Sequence, residues 1–174
     1  MPTRTARTAW NGTLQEGSGQ VELSSSHVAT FDVSFPKRAA DDAGGTTSPE
    51  ELIAAAHSSC YAMQLSANIA EAGGTPQSLD VTADVSLGPD KAGGFRITGI
   101  KLTVRGEVEG LDETGFVKAA EAAKEGCPVS KALTGTTISL DAAGFEKAAQ
   151  AAKEGCPVSK ALTGTTITLD AGLE

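Results

Sequence analysis

The stretch SPEELIAAAHSSCYAMQLSANIAEAGG, residues 48–74, predicts the long helix around which we expect the rest of the chain to fold. Ser48 is a favoured N-cap, Pro49 suits the first helical position, and Glu51 completes a capping box three residues after the cap. The Gly73–Gly74 pair is the stop signal. Small residues on several sides suggest burial on more than one face. Apolar residues at steps of mostly three and four predict the main buried side: Leu52, Ile53, Ala56, Cys60, Met63, Ala67 and Ile69.

The flanking sequence predicts β-structure on both sides of this helix. Short segments that alternate apolar and polar residues precede it and predict antiparallel strands: residues 6–12, 19–24 and 28–35. Residues 36–47 are rich in Pro, Gly and charge and predict a loop with Lys37 and Arg38 at its base. After the helix, two alternating runs predict a hairpin with a bulge at Gly99: residues 79–87 and 95–110. The fold class predicted is α+β, with antiparallel sheets packed around a long central cysteine-bearing helix.

The C-terminal part of the chain contains a tandem duplication. A helix is predicted from an Asp112 cap to Gly126, followed by a short helix opening at Pro128 and by a strand. The apolar stripe predicted for the first of these helices is Phe116, Ala119, Ala120 and Ala123. A shift of 29 residues aligns this unit, residues 111–142, with residues 140–171, and 27 of the 32 aligned positions are identical. Two copies are too few for a solenoid.

We therefore predict one domain over residues 1–142 and a tandem duplicate of its helix–CPVS–helix–strand unit over residues 143–174. Since the two copies are nearly identical, either can occupy the native position.

Composition restricts the class of partner. The chain has 174 residues, 40% of them hydrophobic, with 22 acidic against 14 basic residues and a net charge of −8. An acidic chain does not favour a nucleic-acid or anionic-membrane partner. No apolar run reaches the roughly 18 residues of a membrane span, and no secretory signal is present, so a cytoplasmic location is predicted. The glycine pairs form no nucleotide-binding motif, and no cofactor is expected.

Three cysteines carry the candidate chemistry. Cys127 and Cys156 each lie between a helix-ending Gly and a helix-opening Pro, where backbone N–H groups favour a thiolate. Cys60 lies in mid-helix among apolar neighbours, so its pKa would be raised unless a cation approaches. Arg38 is the best candidate for that cation. Glu50, in the first helical turn, either caps the helix dipole or holds this arginine in position.

Spacing along the helix leaves two further questions open. Glu50 and Cys60 are ten residues apart, hence about 15 Å along a helix axis, so a site that uses both needs a second subunit or a chain that folds back. His57 and Cys60 are three residues apart on one face and suggest a metal site as an alternative. No C-x-x-C pair accompanies these two residues. We therefore expect His57 to be a packed helix residue and no metal to be bound.

The segments SPEELIAAAHSSC and AAKEGCPVSKALTG resemble the OsmC branch of the OsmC/Ohr family, the organic hydroperoxide reductases. The resemblance implies an α+β fold and an intertwined homodimer with active sites at the subunit interface. By motif, Cys60 corresponds to the peroxide-attacking cysteine and Glu50 to the active-site glutamate. Either Cys127 or Cys156 corresponds to the resolving cysteine, and Arg38 to the family's arginine.

The resemblance also implies a reaction and its partners. The Cys60 thiolate attacks an organic hydroperoxide, and the sulfenic acid condenses with a second thiol to a disulfide. A separate dithiol, of the lipoyl type in this family, then reduces the disulfide. The alternative is a redox sensor or binding module of the same fold without turnover. Val117 offers apolar contact where Glu146 of the second copy does not, so we predict that Cys127 resolves Cys60 and that Cys156 is redundant.

Overall fold

The computed structural model describes residues 3–144, which form two compact units. The first unit ends at Leu52 and the second begins at Ile53. Cys156 and nearly all of the predicted duplicate lie outside the described residues.

The first unit is built on a three-stranded antiparallel sheet in chain order. Gly19 and Val21 are buried while Ser18 and Gln20 are exposed, which is the period of two expected for a half-buried strand. All three predicted strands are confirmed: β1 (Arg7–Asn11), β2 (Ser18–Glu22) and β3 (Thr30–Val33).

A four-residue helix, α1 (Phe35–Arg38), occupies the start of the segment predicted as a loop. The loop prediction was wrong there, because the extended Ser34 serves as N-cap and a proline in the first turn is compatible with helix. The Arg38 N–H donates to the Ser34 carbonyl at 3.0 Å. Arg38 therefore sits in a helical turn, and its backbone is held in place.

The long helix α2 (Pro49–Glu71) begins and ends as predicted. The Glu51 N–H donates to Ser48 Oγ at 3.1 Å, although the Glu51 carboxylate accepts from Thr47 Oγ1 at 2.6 Å. At the other end, the Gly74 N–H donates to the Ile69 carbonyl at 3.0 Å, and the preceding glycine has φ +88°, as a Schellman cap requires.

The buried face of α2 differs from the predicted one. Met63, placed in the core by its spacing, is 69% exposed, and Ala56 and Ala67 are exposed as well. The stripe that is buried recurs every four residues: His57, Tyr61, Leu65 and Ile69. Of these four, the prediction contained only Ile69. It passed over Leu65, and it passed over His57 and Tyr61 because they are polar, although their polar atoms find partners in the core.

The second unit contains a three-stranded sheet against which α2 packs. Its strands are β4 (Thr75–Pro89), β5 (Phe95–Glu109) and β6 (Ile138–Gly144), in that order. β4 and β5 form the predicted antiparallel hairpin, whereas β6 runs parallel to β5, so the expectation of purely antiparallel pairing was wrong for β6. The physical reason is that two helices separate β5 from β6, and such a crossover is long enough to return the chain to the same end of the sheet.

The central strand β5 carries the predicted bulge. Ser86 pairs with Gly99 and Leu87 with Ile97, so Thr98 is the extra residue, one position before the predicted site. Beyond the bulge, alternate residues of β5 face the core: Ile100, Leu102, Val104 and Val108.

Two helices complete the second unit: α3 (Glu113–Gly126) and α4 (Pro128–Ala132). Asp112 caps α3 as predicted, its carboxylate accepting from the Gly115 N–H at 2.7 Å. The predicted apolar stripe of α3 is also confirmed as buried: Phe116, Ala119, Ala120 and Ala123. This stripe packs with the core residues of α2 and β5.

Candidate active site

Arg38 and Glu50 form a two-point ion pair in the first unit. Arg38 Nε donates to Glu50 Oε2 at 3.0 Å, and a terminal guanidinium nitrogen donates to Oε1 at 2.5 Å. The capped start of α2 positions the carboxylate, and the last turn of α1 positions the guanidinium. This paired geometry fixes the plane of the guanidinium as well as its place.

The ion pair keeps both groups charged. Hydrogen bonding to Arg38 lowers the pKa of Glu50, with burial opposing it, and hydrogen bonding to Glu50 raises the pKa of Arg38. The side chain of Glu50 is 12% exposed and that of Arg38 is 30% exposed. The guanidinium thus retains an accessible edge that is not occupied by Glu50.

An open, largely apolar cavity of about 420 Å³ lies beside Arg38 in the same unit. Trp10 and Leu14, both substantially exposed, contribute to its wall. The other apolar lining residues are Val21, Val33, Phe35, Pro49 and Leu52. A cavity with one cation and apolar walls suits a ligand that is polar at one end and hydrocarbon at the other.

Cys127 lies at the joint between α3 and α4, in the second unit. It ends α3, where its N–H donates to the Ala123 carbonyl at 2.9 Å, and it is also the N-cap residue of α4. The thiol is fully buried and forms no ordinary N-cap hydrogen bond. Burial opposes its ionisation, but the polar groups of Ser130, Cys60 and Val129 favour the charged sulfur and together lower the pKa of Cys127.

Cys60 and Cys127 are free thiols that interact with each other. Cys60 is half-buried on α2 and packs against the core cluster that contains Cys127. Burial raises the pKa of Cys60, and the neighbouring Cys127 raises it further, while the Val129 N–H opposes both. The pKa of Cys127 is thus lowered and that of Cys60 raised, so Cys127 is the first of the two thiols to ionise in the isolated chain.

A buried histidine and a buried serine complete the polar part of this core. His57 Nε2 lies 2.8 Å from Ser130 Oγ, and both residues are buried. Burial lowers the pKa of His57, so the ring is neutral near pH 7. Its Nε2 is thus engaged by a hydroxyl, and among residues 3–144 no group of three or more His, Cys, Asp or Glu side chains is placed to hold a metal ion.

The predicted site residues therefore form two pairs within the described chain. Arg38 is paired with Glu50, and Cys60 with Cys127. Cys156 falls outside the residues that the structure describes.

The sequence analysis missed Ser130 and gave His57 only a packing or metal role. The signal for Ser130 was its position three residues after Cys127, the spacing at which an N3 residue faces its N-cap. His57 carried no local signal, because its partner is 73 residues away along the chain.

Comparison with known proteins supplies the context for this geometry. A family model described as OsmC-like protein matches residues 41–142. The chain is 44% identical over 124 residues to Peroxiredoxin OsmC of Escherichia coli (strain K12), covering 71% of this chain and 85% of that protein. It is 36% identical over 118 residues to Organic hydroperoxide resistance protein OhrA of Bacillus subtilis (strain 168), covering 65% and 79% of the two chains.

Solved structures agree with the fold. The organic hydroperoxide resistance protein OhrB of Bacillus subtilis matches with a TM-score of 0.63 at 30% identity, covering 79% of this chain and 97% of that one. An organic hydroperoxide resistance protein from Elizabethkingia anophelis matches with a TM-score of 0.68 at 26% identity, covering 83% and 97%. Within the described part of the chain, no helix combines the length and apolarity needed to cross a membrane.

Proposed function

The chain belongs to the family of OsmC-like proteins, and on this basis we propose that it is a thiol-dependent peroxidase that reduces organic hydroperoxides to alcohols. The observation that carries the proposal is that two free thiols on different elements, Cys60 and Cys127, lie in the packing of one core. Relatives named peroxiredoxin and organic hydroperoxide resistance protein support a role of the peroxidase type.

The proposed reaction has two thiol steps. In the first, the Cys60 thiolate attacks the O–O bond, an S–O bond forms, and the alkoxide leaves and is protonated to the alcohol. In the second, the Cys127 sulfur attacks the Cys60 sulfenic acid, an S–S bond forms, and the oxygen leaves as water. A dithiol of the lipoyl type then reduces the disulfide by exchange and restores both thiols.

Arg38 has the task of activating Cys60 in this scheme. Burial raises the pKa of Cys60, so the first step requires a cation near its sulfur. We assign this role to Arg38, whose guanidinium plane is fixed by Glu50. The same guanidinium would stabilise the negative charge that develops on the departing oxygen. The apolar cavity beside Arg38 favours a hydroperoxide with a hydrocarbon group over hydrogen peroxide.

We further propose that the active unit is a homodimer with each site at the subunit interface. The separation of Glu50 and Cys60 along the helix argues for contributions from two chains. An apolar side chain exposed on α2, Met63, supports a partner surface on that helix.

Peptide mapping after one equivalent of cumene hydroperoxide tests the thiol assignments. We expect a predominant Cys60–Cys127 disulfide in the wild type. This disulfide should persist in C156S, which is the matched control for C127S, the variant that lacks the proposed resolving thiol. A predominant Cys60–Cys156 disulfide would overturn the assignment of Cys127 as the resolving cysteine. The absence of any disulfide to Cys60 would overturn the enzymatic proposal.

Turnover separates an enzyme from a sensor. With an excess of dihydrolipoamide, we expect continued loss of cumene hydroperoxide over many equivalents. Consumption that stops after one equivalent per site would support a redox sensor instead.

A further inference from the structure

The first copy of the duplicated unit, α3, α4 and β6, covers one surface of α2 and β5. The buried residues of this copy within the duplicated stretch are Phe116, Ala119, Ala120, Ala123, Cys127 and Ser130. The core residues of α2 and β5 in the same cluster form what we call the docking surface: Tyr61, Leu65, Ile69, Leu102, Val104 and Val108. Across this packing, the Tyr61 hydroxyl donates to the Ala120 carbonyl at 2.9 Å.

The second copy repeats every one of these buried residues. A shift of 29 residues places at the same positions Phe145, Ala148, Ala149, Ala152, Cys156 and Ser159. The two copies differ at five positions, and the residues of the first copy there are all exposed or only partly buried: Glu113, Thr114, Val117, Glu121 and Ser139. The Tyr61 contact uses a main-chain carbonyl, which either copy supplies. The docking surface is therefore complementary to both copies at every buried position of the duplicated stretch.

Residues 140–144 are shared by the two copies. In the described structure they belong to β6 and pair in parallel with residues 102–106 of β5. Arg105 also donates to the Asp141 carboxylate at 3.2 Å. With the first copy docked, this segment is thus the edge of the sheet.

The same five residues are the counterparts, in the second copy, of residues 111–115. There Asp112 caps α3 by accepting from the Gly115 N–H at 2.7 Å, and Asp141 and Gly144 repeat this pair of residues. One segment cannot be the strand of the first copy and the helix start of the second at once. Docking of the two copies is therefore mutually exclusive.

We propose that the docking surface is an exchange site within one chain, at which the second copy replaces the first and brings Cys156 to the position of Cys127. The proposal rests on the proposed function for the task of that thiol, which is to resolve the Cys60 sulfenic acid. The Cys156 sulfur then forms the S–S bond with Cys60, the S–O bond breaks, and the oxygen leaves as water. The hydroperoxide has already supplied the oxidising equivalents.

The connections of the chain permit this exchange. In the second arrangement, residues 167–171 (ITLDA) take the place of residues 138–142 (ISLDA) beside β5. Residues 111–139 then become an insert of 29 residues after β5. A long insert is tolerated, because the entropy cost of closing a loop grows only slowly with its length.

The described arrangement keeps an advantage, so the first copy is the major occupant. It closes no such insert, and the Gly144 N–H donates to Glu113 Oε2 at 2.9 Å, where the second copy has Ala142. Exchange becomes favourable when Cys127 is altered. Because this side chain is fully buried, a charged or bulky group on its sulfur opposes docking of the first copy but leaves the second unaffected.

Disulfide mapping in C127S tests the exchange at the sulfur. After one equivalent of cumene hydroperoxide, we expect a Cys60–Cys156 disulfide within one chain. It should form about tenfold or more slowly than the wild-type Cys60–Cys127 disulfide, because the second copy is the minor occupant. Adding A149E, at the counterpart of the fully buried Ala120, should abolish it, whereas A151E, at the counterpart of the exposed Ala122, should leave it unchanged.

Three outcomes of this mapping would overturn the proposal. A Cys60–Cys156 disulfide that A149E leaves unchanged would mean that Cys156 reaches Cys60 without docking. A disulfide between two chains, seen by non-reducing electrophoresis, would mean that the exchange is not internal. The third is a C127S protein that forms no disulfide although the wild type forms the Cys60–Cys127 bond.

Urea denaturation of full-length variants tests the exchange without thiol chemistry. A120E should unfold near the wild-type midpoint, because the second copy then docks, and A149E should unfold like the wild type. A120E/A149E should lose far more stability than the sum of the two single losses, since either copy then buries a charge. The control A122E/A151E, at exposed positions, should stay near the wild type. Additive effects of A120E and A149E would overturn the proposal.

The two measurements separate this proposal from the proposed function. If the wild type forms no disulfide to Cys60 while the unfolding effects are non-additive, the peroxidase proposal fails and the exchange stands. If the wild type forms the Cys60–Cys127 disulfide while the unfolding effects are additive, the exchange fails and the peroxidase proposal stands.

Discussion

Arg38 holds Glu50 by two hydrogen bonds from different guanidinium nitrogens, and a lysine at this position has no second nitrogen to offer. We predict that R38K retains the charge but lowers kcat/KM for cumene hydroperoxide by about 10-fold or more, because the cation loses its fixed orientation. The measurement is steady-state turnover with dihydrolipoamide as reductant.

Lys37 provides the matched control for this change, because it lies in the same turn of α1 and makes no contact with Glu50. We expect K37A to stay within about twofold of the wild-type rate, as is usual for exposed charges away from a site. Equal losses in K37A and R38K would contradict an orientation role for Arg38.

Trp10 and Leu14 form part of the apolar wall of the cavity beside Arg38. We predict that L14A raises KM for cumene hydroperoxide several-fold, consistent with a loss of about 1–2 kcal/mol of apolar contact, while the rate with hydrogen peroxide is unchanged. Parallel assays of the wild type and L14A with the two peroxides measure both effects. If both peroxides are affected equally, the cavity does not bind the hydrocarbon group.

At the scale of secondary-structure elements, the close approach of α3 to β5 depends on a glycine. A Cβ at Gly106 would lie 2.5 Å from Phe116 Cε2, whereas a Cβ at Gly99 in the same strand would meet no atom nearer than 3.9 Å. We predict that G106A lowers the free energy of unfolding by about 1–3 kcal/mol and that G99A changes it by less than about 0.5 kcal/mol. Urea denaturation measures both, and equal stabilities would show that Phe116 moves aside without cost.

The packing of α2 makes stability depend on pH through His57. Burial lowers the pKa of this ring below its ordinary 6.5, so the unfolded chain binds more protons than the folded chain in that range. The free energy of unfolding should therefore fall as the pH drops below about 6.5. We predict that H57Q removes this part of the acid slope in denaturation experiments between pH 5 and about 7.

The exposed His27 offers the comparison, with its side chain 75% accessible. H27Q should keep the acid slope of the wild type. An H57Q variant with an unchanged slope would show that another group is responsible.

At the scale of the whole molecule, the proposed homodimer makes a prediction about Met63. This side chain is 69% exposed in the described chain, and a charge in its place would be buried against a partner. We predict a dimer by light scattering for the wild type and dissociation toward monomers for M63E, with loss of peroxidase activity. V28E is the matched control, because Val28 is also an exposed apolar residue, at 74%, but lies in the first unit. A monomeric and active wild type would contradict the proposal.

Sequence patterns predicted those features of the molecule that depend on residues close together in the chain. The caps of α2 and α3, the buried stripe of α3 and the β4–β5 hairpin each depend on residues within a few positions of one another. The sequence also proposed four candidate site residues that the structure describes, and the structure places Arg38 against Glu50 and Cys60 in the packing around Cys127.

The sequence by itself therefore determined the fold class, the helix limits and the candidate thiols, since periodicity, capping and thiol position are properties of neighbouring residues. Only the tertiary structure decided that β6 returns parallel to β5, that α2 buries the stripe containing His57 and Tyr61, and that His57 meets Ser130 in the core. These outcomes depend on contacts between residues far apart in the chain. Which side of α2 is buried, and which polar atoms meet there, is set by the combined packing of several elements, and no local pattern encodes it.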